Sequence, residues 1–292
     1  LEFEEPPAAP GYILVTLFNH LIKEGMDDKH ISSIIENGMI LLRVYKIRFT
    51  TDWPVEVKIL TLNECNGLLR LLESLKRQVK SKKLKEGIEE IRNEVEDYKK
   101  RFYVEGIIRG DFSEVYPILS SRREGIGRKE VYPKLLKDLY DYPESAKEIE
   151  QKALKFLEKD LPELQKVVKK LAFVYGVDSS LEEVSKAVEE KGNLKPSELL
   201  KVVKDIRKGL QEIAEEHLVK ITPKYDVRII ETPDYLVNFM PTAAMQPFDI
   251  LTKKPFNLFL VTTSELGSPA KTVSEITNTL IHEEYGHCVN FS

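Results

Sequence analysis

The chain has 292 residues, of which 42% are hydrophobic and 32% charged, with 44 Lys and Arg against 48 Asp and Glu. An apolar fraction of that size can build a core, which excludes wholesale disorder, and the length sets one or two globular domains as the expectation. A formal charge of −4 gives no reason to expect nucleic acid as a partner, and no stretch approaches the roughly 20 apolar residues of a membrane span.

Residues 2–10 carry three prolines and three acids and read as a flexible lead-in. Helical spacing follows at Leu14, Phe18, Leu21 and Ile22, and again at Ile31, Ile34 and Ile35 after a cap at Asp27 or Asp28. Asn37-Gly38 predicts a break, with 39–47 a short helix or a strand, and a turn at 50–54 whose Pro54 suits a helix start. A long helical tract spans 60–103, with an interruption expected near Gly87. Its basic cluster, Lys76 to Lys85, has no interleaved aromatics and reads as a solvated face or inter-helix turn.

Gly110, Pro117 and a Ser-Ser-Arg-Arg run make 107–123 an irregular connection. Helices are predicted over 143–175, with Ala153, Phe156, Leu157, Leu164, Val167, Val168 and Leu171 inward, over 178–191, and from 194 to about 219, with Ile206, Leu210 and Ile213 inward. The pattern then turns to strands at 225–231, 236–240 and 256–263. Ser268-Pro269 offers a cap for a last helix carrying Val273, Ile276, Leu280 and Ile281. The fold class expected is mainly α with a small β-sheet (α+β).

That last helix ends in His282-Glu283-Glu284-Tyr285-Gly286-His287. A metal-activated hydrolase needs two neutral imidazoles on one face and a carboxylate that can take a proton from water. The usual helical solution places the histidines four apart; here the step is five. A regular α-helix would leave the rings about 140° apart, whereas a π-type turn brings them within about 50°. Metal binding by His282 and His287 therefore predicts an overwide helix at this point, with Gly286 tolerating the distortion. In that geometry Glu283 is the general base and Glu284 faces away.

The hexapeptide resembles the HExxGH signature of the dipeptidyl-peptidase III family of zinc peptidases. The wider stretch is similar to the domain-of-unknown-function 885 family, which is placed among zincin-like peptidases. The matching pieces are 156–164, Pro241-Thr242-Ala243-Ala244, and the histidine motif, here without the proline of that family's His-Glu-x-Tyr-Pro-Gly-His. The resemblance implies a zincin-like metallopeptidase architecture, truncated after the motif helix, with His282 and His287 as zinc ligands, Glu283 as catalytic acid–base and a peptide as substrate. It also implies a third ligand, a gluzincin-type Glu on a helix downstream of residue 292, so the chain reads as incomplete at its C-terminus. On this reading 1–120 is an N-terminal helical region and 121–292 holds helices, the small sheet and the start of the catalytic domain; a single domain is the alternative.

His217, His20 and His30 read as structural or exposed, and Cys288 as a small core residue. With only Cys65 beside it, a disulfide scaffold is excluded and a reduced, cytoplasmic setting is expected. The strand at 256–263 is either a substrate-binding edge or a buried strand under the motif helix. Tyr285 is a packing residue or an oxyanion donor. Two rival functions stand beside the zinc metallopeptidase: a non-catalytic helical interaction protein, and a metal-dependent hydrolase of non-peptide amides or esters.

Overall fold

Leu and Ile at three- and four-residue spacing turn the first hundred residues into four helices: α1 (Ala9–Glu24), α2 (Asp28–Arg48), α3 (Val55–Gln78) and α4 (Lys82–Lys99). The computed structural model describes residues 8–48, 53–108, 112–121, 132–192, 194–220, 225–248, 256–287 and 289. Chain proximity divides the molecule into two units, one of Leu1–Arg122, Lys195–Ala270 and Glu275–Ser292, the other of Arg123–Leu194 and Lys271–Ser274.

In the first unit α1 packs on α2 and α3, and α4 closes against α2 and α3. Leu14, Leu42, Leu68, Leu72, Ile88 and Ile91 form its centre. The predicted break at Asn37-Gly38 does not occur. α2 runs straight through, because a Cβ on Gly38 would lie 3.1 Å from Ile13 and from Ile91, so the glycine serves a close helix crossing and not a turn. The long tract does break, but at 79–81 and not at Gly87. Ser81 caps α4 by accepting the Leu84 N–H at 3.3 Å, and Gly87 lies inside that helix. Asp27 caps α2, its Oδ1 accepting from Lys29 N–H at 2.9 Å. The turn expected at 50–54 lies outside the described residues except for its last two, and Pro54 immediately precedes α3.

The stretch read as an irregular connection holds a helix, α5 (Phe112–Ser121), with Pro117 inside it. The strand expected at 236–240 is a run of turns. Three strands are present: β1 (Val227–Glu231), β2 (Ala243–Phe248) and β3 (Phe256–Val261), in the order β1-β3-β2. β3 is parallel to β1 and antiparallel to β2, with Ile229 opposite Phe259 and Met245 opposite Phe259 on the other side. Phe248, Phe256, Leu258 and Leu260 join the same core as the four helices, so sheet and bundle share one interior. Helix α9 (Leu199–His217) packs on β1. The last helix, α10 (Val273–Leu280), starts later than Ser268-Pro269, because the Ser268 N–H is bonded to the Pro241 carbonyl at 2.7 Å and its own carbonyl accepts from Thr242 Oγ1.

The second unit contains α6 (Tyr132–Lys134, continuing as a π-turn over Leu135–Leu139), α7 (Ala146–Tyr175) and α8 (Leu181–Gly192). A capping box between Ser145 and Glu148 starts α7, and Gly176 at φ 69° ends it. α8 covers α7 at Val168 and Ala172 through Val184. Upstream of these contacts the face expected to be buried is open: Phe156 is 68% exposed and Leu157, Leu164 and Val167 are also exposed.

The architecture is thus mainly helical with a small mixed sheet. Among the described residues no helix is long and apolar enough to cross a membrane.

Candidate metal centre

Ile276 and Leu280 anchor α10 in the interior, and from Ile281 the coil widens into a π-helix that runs to His287. The smaller rotation per residue turns the two imidazoles onto one side. Their Nε2 atoms stand 3.2 Å apart, with ring centroids at 4.9 Å and planes at 87°. Both side chains are exposed to solvent.

A separation of 3.2 Å suits two arrangements. Neutral rings in complementary tautomers can share one N–H···N hydrogen bond. Two nitrogens at about 2.0–2.1 Å from a tetrahedral metal are about 3.3 Å from each other, so the pair also fits two corners of a zinc site. Among the described residues no group of three or more His, Cys, Asp or Glu converges on one point. Cys288 lies outside the described residues.

Glu283 is half-buried, and its Oε2 accepts the Met245 N–H of β2 at 3.2 Å. The pairing of β2 explains why that N–H is free to donate. Thr262 N–H bonds the Thr242 carbonyl, so in the register of this antiparallel pair the even-numbered residues of β2 bond to β3. Ala243, Met245 and Pro247 turn their backbone groups the other way, toward the sheet's edge. Pro247, which has no N–H to offer, occupies a position where none is needed for the ladder. Of the two readings of 256–263, the structure selects the buried one: β3 is buried along its whole length and paired on both sides, and the edge beside the histidine segment is β2.

Glu284 faces away from the histidines, as expected, but into the interior and not to water. It is 0% exposed, and the Arg207 guanidinium grips it, with Nε 2.9 Å from each carboxylate oxygen and Nη2 2.8 Å from Oε1. The Tyr225 hydroxyl donates to Oε1 at 3.1 Å. Burial opposes the charge on Arg207, yet the hydrogen bonds and attraction of Glu284 prevail and raise its pKa. Tyr285 is half-buried, its hydroxyl has no hydrogen-bond partner among the described residues, and burial pushes its pKa up to about 12.

The other histidines stand apart from this centre. His217 is the exposed last residue of α9, and His20 and His30 form a ring pair at 5.5 Å, with His30 Nδ1 2.8 Å from Asp27. A cavity of 380 Å³ lined by Leu62, Glu96, Lys99, Lys100, Tyr103 and Ile107 takes none of its lining from the histidine segment.

Arg207, Tyr225 and Met245 escaped the sequence reading. Arg207 had a signal: it falls on the stripe Leu199, Val203, Ala214 that α9 buries, where an arginine needs a buried acid. Met245 had none, since a backbone N–H leaves no mark on side-chain pattern. Compared with protein-family models, curated protein sequences and solved structures, the chain matches none.

Proposed function

We propose that the chain carries the centre of a zinc-dependent, zincin-like hydrolase of peptide bonds, with His282 and His287 as metal ligands and Glu283 as general base. The 3.2 Å separation of the two Nε2 atoms, reached across a five-residue step through a π-turn, carries this reading. Frequent use of π-turns at functional sites adds support, as does the resemblance of the hexapeptide to HExxGH. The third ligand in this reading is the downstream Glu that the same resemblance implies.

A zinc ion held there would lower the pKa of a water molecule to about 7 and polarise the scissile carbonyl. The Glu283 carboxylate takes the proton of the attacking water and returns it to the leaving amine nitrogen. Its bond to Met245 N–H orients that carboxylate against β2. The outward backbone groups of Ala243 and the outward carbonyl of Met245, whose N–H is held by Glu283, offer an extended peptide an edge to pair with, which favours peptides over small amides or esters as substrates.

Metal analysis and a peptide-hydrolysis assay of the full-length protein, which includes the downstream Glu, test the proposal together. About one zinc per chain is expected, reduced on His282→Ala or His287→Ala. Glu283→Gln keeps the zinc and lowers turnover by about 10² to 10⁴. Zinc-loaded protein in which Glu283→Gln retains full turnover ends the assignment of the base; absence of zinc after reconstitution favours a non-catalytic interaction protein.

A further inference from the structure

The wide turn spans Ile281–His287. No proline interrupts it. Gly286 does not adopt a left-handed φ, and a Cβ there would meet nothing within 4 Å, so its small size is not what the turn needs. As a regular α-helix the same segment would point its imidazoles about 140° apart. Contacts from elsewhere in the fold reach it at two neighbouring residues.

Two consecutive carboxylates tie it down. Glu283 is held by Met245 N–H of β2, and Glu284 is held by Arg207 of α9 and by Tyr225, just ahead of β1. Glu284 lies between the two histidines in sequence and is the one residue of the π-turn that is fully buried. Its grip therefore sets how the turn on either side of it is wound.

We propose that Arg207 is the positioning residue of the histidine pair: with Tyr225 it clamps Glu284 and thereby keeps the turn overwide and the two imidazoles within reach of one metal ion. The metal half of this statement rests on the zinc reading; the clamp itself does not.

The test separates the two. In metal-free protein with labelled histidines, nuclear Overhauser contacts between the rings of His282 and His287 report the wide turn directly. Arg207→Met alone leaves a buried carboxylate without its partner and risks unfolding, so the informative variant is Arg207→Met with Glu284→Leu, which removes both charges together. With the wild-type helical circular dichroism retained, that variant is expected to lose the ring contacts. Its affinity for Co²⁺, followed by the visible d–d bands of the metal alone, should fall by about 10- to 100-fold. Arg207→Lys, which keeps the charge but not the fork, should retain part of both signals, and Tyr225→Phe most of both. A folded double variant with wild-type ring contacts overturns the clamp. Wild-type protein that shows the contacts but binds neither Co²⁺ nor Zn²⁺ removes the metal reading and leaves the clamp standing.

Discussion

Glu283 and Glu284 are neighbours with opposite surroundings. One is half-buried beside the imidazoles and a single backbone N–H; the other is sealed in the interior by a guanidinium and a phenol. A third glutamate, Glu64 on α3, is buried with no cation against it among the described residues. Its carboxylate accepts Gly11 N–H at 3.2 Å, and burial, only partly offset by that bond, pushes its pKa up to about 7 from an ordinary 4.5. Between those two values the folded chain holds a proton that the unfolded chain has released. Stability therefore falls as pH rises from about 4.5 to about 7 and levels off above, by about 3 kcal/mol in all. Glu64→Gln should flatten that stretch of the profile in denaturant titrations run across it.

At the scale of elements, α3 and the turns between β1 and β2 meet where a side chain is absent. A Cβ on Gly67 of α3 would lie 2.5 Å from the Tyr235 carbonyl, in the turns that lead from β1 to β2. Gly67→Ala must push that segment off the helix, and a loss of about 1–3 kcal/mol is expected in thermal or denaturant unfolding. Gly286→Ala meets no such obstacle, so its unfolding midpoint should not drop. The capping of α4 gives a smaller effect: Ser81→Ala removes the acceptor for Leu84 N–H and should cost about 1 kcal/mol.

Across the whole molecule, the two units use their apolar residues differently. The first gathers Leu, Ile and the inner face of the sheet into one core, whereas in the second α7 and α8 bury a short patch at Val168, Ala172 and Val184. Leu157 and Leu164 of α7, inward by periodicity, are exposed. Exchanging either for Gln should change stability by no more than about 0.5 kcal/mol, while Val168→Ala, at the contact with Val184, should cost about 1 kcal/mol or more. Unfolding curves of the three variants decide between a buried and an open stripe.

Helix periodicity, the cap at Asp27, and the five-residue step between His282 and His287 are local features. They were legible because each depends on groups a few residues apart along one coil. The step alone demands a widened coil if the rings are to meet. What the sequence could not determine is what holds that coil wide, which strand forms the sheet's edge, and which leucines are covered. Those depend on Arg207 meeting Glu284 across 77 positions, on the outward Met245 N–H, and on α8 covering only one end of α7. Chain spacing carries no record of such meetings, because burial and ion pairing are decided by whichever surface arrives from elsewhere in the fold.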